Sequence, residues 1–366
     1  MRFLIVVALL LIYVNGAESE MGGQIVLDTA RIKGDDYSSN GREVRRARLF
    51  IKGDMSKRLK YEIEYSLTGS KEWKDVYIKH KTMDNLGIQI GNIKEPMGLE
   101  TLTSSKYNSF MERSLTDTFM HDRKLGILVH GTYKDEEHRG TISFGIFGKS
   151  LDKLFAKKRD GTSIIGRITY ALVHAKDDVV HLGLSTGRTK YRDQSLKFST
   201  DAGTHLYKGS LIKTKLKNIK QSKRVALEAA MVKGAFSFQG EYIAITASNK
   251  QDDFNGWYGQ VSLFVTGEHR NYKTKSAKFS RIKIREPFKQ GVDGYWGALE
   301  LALRVSQINL NSNKNKRGKK EHDITVGVNC HVKKNFRMIS NYTVSKATER
   351  NIEKEEIIQF RGQYDF

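Results

Sequence analysis

The final residues, Glu356 to Phe366, set Ile358, Phe360, Gly362, Tyr364 and Phe366 on one side of an extended chain and Gln359, Arg361, Gln363 and Asp365 on the other. Such alternation belongs to a strand, because successive side chains of an extended backbone leave on opposite faces. The signature recurs throughout the sequence. It is clear at Gly23–Lys33, Arg42–Gly53, Leu59–Thr68, Trp73–His80, Leu86–Ile93, Lys124–Tyr133, Thr141–Phe147 and Thr162–His174. It continues at Val179–Tyr191, Lys223–Lys233, Ala235–Ala247, Gly256–Glu268, Tyr295–Ile308, His322–Val332, Asn335–Val344 and Glu356–Phe366.

Sixteen is an even number, as a closed antiparallel barrel in a bacterial outer membrane requires, and in such a barrel the apolar face meets lipid while the polar face lines a lumen. Parity is cleanest where Leu59, Tyr61, Ile63, Tyr65 and Leu67 alternate with Lys60, Glu62, Glu64, Ser66 and Thr68, and where Leu299, Leu301, Leu303 and Val305 alternate with Glu300, Ala302, Arg304 and Ser306. A chain stopping on an aromatic residue resembles the end of an outer-membrane barrel. If the first strand rises from the periplasm, the even strands end in short turns, near Asp54–Arg58, Lys81–Asn85, Lys134–Gly140, Ala175–Asp178, Gly234 and Lys333–Lys334, and most odd strands end in longer connections. The connection from His269 to Gly294 breaks this rule. Leu206–Lys217 and Ala277–Pro287 are also partly extended, so eighteen strands is the alternative count.

The amino-terminal end agrees. Met1 and Arg2 precede an apolar run from Phe3 to Val14, then Asn15, Gly16 and Ala17. This is the order of a secretory signal, expected over residues 1–16 with cleavage after Gly16 or Ala17, which leaves 17–366 as one barrel domain. The run is too short to span a bilayer as a helix. A mean hydropathy of −0.52 is low for a helical membrane protein, but a barrel exposes only alternate residues to lipid. Only 2 prolines occur, as suits strands whose ladders cannot lose donors.

The chain carries 63 Lys+Arg against 41 Asp+Glu, a formal net charge of +22. An excess of this size implies anionic partners, whether nucleic acid, acidic lipid or small anions, and in a barrel it can point into the pore. Catalytic signals fail on context. Gly183-Leu184-Ser185-Thr186-Gly187 has the spacing of a nucleophile elbow but no following helix, and Gly148-Lys149-Ser150 lacks the upstream glycine of a phosphate-binding loop. The histidines have no ligand spacing and Cys330 is alone, so neither a metal nor another cofactor is expected.

The connection from Lys94 to Arg123 carries a family resemblance. Gly91-Asn92-Ile93-Lys94-Glu95-Pro96-Met97-Gly98-Leu99-Glu100, followed by Thr103-Ser104-Ser105-Lys106, Glu112-Arg113 and Arg123, resembles the third loop of the phosphate-selective porin O and P family. Val44 to Arg48, Lys60 to Ile63 and Asp75 fall upstream in the matching order, and Tyr258 to Arg270, Val326 to Asn329 and the terminal strand fall downstream.

The resemblance implies a homotrimeric, sixteen-stranded anion channel whose third loop folds inward as a constriction. It carries the family's phosphate site onto Arg45, Arg46, Lys60, Asp75, Ser104, Ser105, Lys106 and Arg113, with Arg31 as a neighbouring basic residue. Where relatives have an arginine ladder in the fifth outer loop, this chain has Lys208, Lys213, Lys215 and Lys217, which attract anions without arginine's bidentate fork. The implied partners are inorganic phosphate or other small anions and outer-membrane lipid. Asp75 is expected to shorten solute residence by repulsion. Ideal parity sends Arg46, Arg48 and Lys60 into the lumen but Arg45 outward with Ala47, Leu49 and Ile51, so Arg45 needs a bulge or a rim position. Two alternatives stay open: a weakly selective porin or surface antigen on the same barrel, and a secreted nucleic-acid-binding β protein.

Overall fold

A computed structural model describes residues 18–69, 71–154, 161–248, 253–291, 296–311, 319–348 and 352–366. The expected signal segment and its cleavage point lie outside them. The first strands are β1 (Glu18–Lys33), β2 (Ser38–Ser56), β3 (Leu59–Ser66), β4 (Trp73–Met83), β5 (Leu86–Ile93), β6 (Lys124–Lys134) and β7 (His138–Phe147). Next come β8 (Thr162–Ala175), β9 (Asp178–Lys190), β10 (Ser195–Ser199), β11 (Lys213–Lys217), β12 (Gln221–Lys233), β13 (Phe236–Ala247) and β14 (Asp253–Phe264). The last are β15 (Asn271–Lys273), β16 (Lys278–Ser280), β17 (Ala298–Asn309), β18 (Lys320–Lys333), β19 (Phe336–Thr348) and β20 (Ile352–Asp365).

All but β10, β11, β15 and β16 form one closed sixteen-stranded barrel in which sequence neighbours pair. The ring closes by antiparallel pairing of β1 with β20, from Gln24 opposite Asp365 to Lys33 opposite Glu356. No edge strand remains, so every wall ladder is paired, the condition for a sheet to lie in lipid. Strands such as β17, with 12 residues, exceed the roughly 9–11 that a tilted membrane strand needs.

Burial is inverted relative to a water-soluble domain. Leu301 and Leu303 are 44% and 45% exposed, while Glu300 and Arg304 on either side of them are 2% and 4% exposed. On β20, Ile358, Phe360 and Tyr364 face outward, as does Phe366 just after it, and Gln359, Arg361, Gln363 and Asp365 are buried inside. Large exposed apolar residues with buried charges place lipid outside and a polar interior within.

The two extra extended segments are not wall strands, which resolves the count in favour of sixteen. β10 and β11 pair with each other, as do β15 and β16. Leu196 and Phe198 of β10 join an apolar cluster with Phe119, Phe254, Ile308 and Ile357, so the first hairpin packs inside the long-loop end of the barrel. The second hairpin accounts for the long connection on the short-turn side. Its Tyr272 and Phe279 cluster with Ala171, Val179, Ala230 and Val232, so that connection turns back into the lumen. β14 ends four residues earlier than its alternation predicts. Gly267 adopts φ +85 in the turn that follows, a conformation open to glycine.

The β5–β6 connection folds inward through two glycines. Gly91 has φ +145, where a side chain would meet the Val76 carbonyl oxygen at 2.1 Å, and Gly98 has φ +77 just before a helical turn, Leu99–Leu102. The far wall then holds the loop residue by residue. Glu241 accepts from the Leu99 and Glu100 amides at 2.9 and 2.6 Å, and Asn341 accepts from the Met111 amide at 2.8 Å. Arg224 binds Glu95 at 2.5 Å, Arg304 binds Glu100 at 3.3 Å, and Arg337 donates to the Asn108 carbonyl at 2.7 Å. These wall charges point inward because their alternating partners face lipid, and the loop satisfies them.

Candidate functional site

With the third loop anchored to the far wall, open space remains against β2, β3 and β4 as a cavity of about 710 Å³. Lysine and arginine side chains far outnumber carboxylates along it. A second cavity of about 270 Å³ lies between the third loop and the end of β10 at Ser199 with the connection that follows it to His205. Arg45, Arg46, Ser105, Arg113 and Asp117 line both, and so form the throat between them.

The throat arginines owe their positions to an irregularity in β2. Val26 opposes Arg46 and Leu27 opposes Val44, so Arg45 is left without a partner as a β-bulge. The extra residue swings Arg45 inward beside Arg46, whereas Val44 stays on the lipid side. The bulge that parity demanded is therefore present. Arg45 makes a two-pronged contact with Glu112, both bonds 3.1 Å. Arg361 reaches the same carboxylate at 2.7 Å. Burial works against the charge of Glu112, but Arg45, Arg361 and Arg46 hold its carboxyl well below the usual range.

Arg46 is different. It is 8% exposed and its Nη1 is buried without a hydrogen-bond partner. Among the described residues no carboxylate forms an ion pair with it, so it lines the throat as a cation held by no direct partner. Arg48, next on the same face, is 3.6 Å from Glu64.

The loop residues of the expected site converge on the same space. Ser104, Ser105, Lys106 and Arg113 all line the larger cavity. The Ser104 hydroxyl accepts from the Lys106 amide. Lys106 Nζ lies over the Phe50 ring at 5.4 Å and 3.8 Å from Asp365. Arg113 donates to the carbonyls of Glu100, Thr101 and Thr103 and lies 3.6 Å from Asp117, so its guanidinium closes the helical turn as well as facing the cavity. Deeper in the loop, burial and the neighbouring Arg113 and Arg123 push the Lys94 ammonium well below its usual range, and it donates to the Thr101 carbonyl.

Several expected residues sit elsewhere or behave differently. Arg31 is exposed in phase with Ile25 and Leu27 on the outside of β1 and does not reach the lumen. Lys60 has inward parity but lies at the short-turn mouth, largely exposed and 2.7 Å from Asp54, outside both cavities. Asp75 lines the larger cavity, yet Arg123 binds it at 2.6 Å. Its charge is thus met by the protein rather than left to repel a solute. Lys208 is exposed in the β10–β11 connection, and Lys213, Lys215 and Lys217 share the exposed face of β11; none lines either cavity. Alternation explains this, because the inward positions of the hairpin are taken by Leu196, Phe198, Thr214 and Leu216.

Residues absent from the expectation also line the space. Lys79 follows Asp75 and Tyr77 on one strand face, a parity that pointed to it. Lys275 and Lys278 come from the inturned β15–β16 hairpin, and Arg123 from the end of the third loop. No alternation in the sequence orients those three.

Comparison with known proteins agrees with this architecture. The family model for phosphate-selective porin O and P matches residues 20–366. Porin O of Pseudomonas aeruginosa is 27% identical over 308 residues, covering 72% of this chain and 68% of that protein. An uncharacterised protein of Caulobacter vibrioides is 28% identical over 316 residues, covering 79% of this chain; the chain spans 61% of that relative's length. Among solved structures, Pseudomonas putida OprB superposes with a TM-score of 0.61 at 10% identity, over 95% of this chain and 94% of that one, a likeness of fold alone.

Proposed function

The chain belongs to the phosphate-selective porin O and P family, and from that premise we propose that it is an anion-selective diffusion channel of the outer membrane that conducts phosphate or a related oxyanion through the Arg45–Arg46 throat. One observation carries the proposal. Arg46 is a buried guanidinium without an ionic partner, lining both cavities where they meet. An unpaired buried charge is costly, and a passing oxyanion relieves that cost by accepting its hydrogen bonds.

A phosphate entering the throat sheds water, and guanidinium, ammonium and hydroxyl donors replace those bonds. Arg46 and Ser105 supply them at the junction, and Lys106 supplies them from the loop side. Lys79, Lys275 and Lys278 continue the cationic lining beyond it. A series of basic groups lets the ion move from one to the next, whereas one deep well would trap it. Arg45 keeps Glu112 neutralised, so the loop's acid does not oppose entry. Assembly as a homotrimer in outer-membrane lipid is carried over from the family.

The second reading, a weakly selective porin, draws support from the pairing of Arg45, Arg48 and Arg113 with Glu112, Glu64 and Asp117. The two readings part in a planar bilayer. Millimolar phosphate added to a chloride solution should reduce the chloride current if the throat is a phosphate site. Current unaffected by phosphate leaves only the weakly selective pore.

A further inference from the structure

The smaller cavity is not uniformly cationic. Its wall includes Asp323 of β18, a strand separated from β2 by β1, β20 and β19. Asp323 is 4% exposed, and its Oδ1 is buried without a hydrogen-bond partner. Asp201, from the β10–β11 connection, lines the same space, and among the described residues its carboxylate has no ion-pair partner. The remaining acids are engaged: Glu112 by Arg45 and Arg361, and Asp117 by Arg113 and the Thr101 hydroxyl.

The chamber thus holds a guanidinium, Arg46, and a buried carboxylate, Asp323, on separate walls; among the described residues neither forms an ion pair, and Asp323, beside Ser345, keeps its Oδ1 without a hydrogen-bond partner. Its 270 Å³ equals roughly nine water volumes at about 30 Å³ each, room for a small organic ion. A bare oxyanion satisfies Arg46 and is repelled by Asp323. A solute with an anionic group at one end and an ammonium at the other meets both, and each contact is a charge-assisted hydrogen bond. A buried charged group left unpaired costs more than its paired form gains, so the solute that pairs both is favoured over one that pairs either.

We propose that this chamber selects phosphate monoesters bearing an amine, of the aminoalkyl phosphate class, over phosphate esters that lack one. The inference rests on the reading of Arg46 as a phosphate contact. Arg46 binds the phosphoryl oxygens, Asp323 accepts from the ammonium, and Asp201 adds a second carboxylate on the outer side.

The test is block of chloride current in planar bilayers by three probes: inorganic phosphate, ethyl phosphate and O-phosphoethanolamine. Wild type should be blocked by O-phosphoethanolamine at a concentration about tenfold below that for ethyl phosphate, the size of one charge-assisted contact. Asp323→Asn should erase that difference while inorganic phosphate blocks at least as well as before, which also shows that the variant has folded. Asp201→Asn should narrow the difference without erasing it. Equal block by the two esters in wild type, or a preference that survives Asp323→Asn intact, overturns the inference and leaves the phosphate throat standing if inorganic phosphate still blocks. Failure of all three probes to block removes the phosphate throat itself, and this inference with it.

Discussion

Arg46 and Arg45 are adjacent in sequence and chemically identical, yet they do different work. Arg45 is spent on Glu112, whereas Arg46 keeps its guanidinium for the throat. Replacing Arg46 with Gln should leave the barrel folded and weaken phosphate block of chloride current about tenfold to hundredfold, the worth of one hydrogen bond to a charged group, roughly 1.5–3 kcal/mol. An unchanged block would place the contact elsewhere. Arg113→Ala should read differently, because Arg113 closes the helical turn through three carbonyls: the expected result is noisier single-channel current along with weaker block. The inward direction of Arg46 was legible from strand parity. That Arg45 must break parity was legible too, since ideal alternation put it in lipid. Which of the pair would be free was not, because that depends on Glu112 in a loop without periodicity. Arg31 shows the limit of reasoning by neighbourhood: it stands one strand from the throat in sequence terms, and alternation turns it outward.

The third loop and the wall strands make separable predictions. A wall strand is judged by its faces. Leu303 lies mid-strand in β17 opposite Val261 and Val326, all exposed on the outside, so Leu303→Arg should cost about 2–4 kcal/mol of folding in lipid vesicles, and inward Ala302→Ser should cost little. Equal losses would mean that β17 is not a lipid-facing wall. The loop is judged by its clamps. Arg224→Leu removes one partner of buried Glu95, which keeps Lys124 at 3.1 Å and His121 at 3.0 Å, so it should cost less than the roughly 3–5 kcal/mol of a buried pair broken outright. Since the barrel ladders do not depend on that pair, the loss should appear as loop release, with larger and less anion-selective conductance. The same clamp carries a pH dependence. Burial and the neighbouring Arg224 lower the His121 pKa from 6.5 to about 4. The unfolded loop therefore binds more protons than the folded one between those values, and loop anchoring weakens as pH falls from 6.5 toward 4. Conductance noise recorded against pH should rise through that window, and less so in His121→Gln. Gly91, near the end of β5, and Gly98, at the helical turn, both stand in the motif that the sequence displays. The wall residues that receive the loop were not legible there, because each pairs across more than a hundred residues of chain.

At the level of the whole molecule, the barrel was written most plainly, because a one-sided strand repeats its pattern with no need of distant partners. Sixteen of the alternating segments became wall strands within a few residues of their expected ends. β10–β11 and β15–β16 show where alternation misleads: each is one-sided because it packs inside the barrel, and period two does not say whether the apolar face meets lipid or a plug. The charge excess divides the same way. Formal net charge +22 was visible at once, but its distribution was not: the fifth-loop lysines stay on the exposed surface, while Lys79, Lys275 and Lys278 enter the cavity. What remains in the pore is a lining in which lysines and arginines outnumber carboxylates, and its long-range field should favour anions and weaken with screening as salt rises. The most direct measurement is the reversal potential of the reconstituted channel across a potassium chloride gradient. Its sign should be that of chloride flow, with selectivity falling as the mean salt concentration is raised. A reversal potential with the sign for potassium flow would contradict an anion-selective channel.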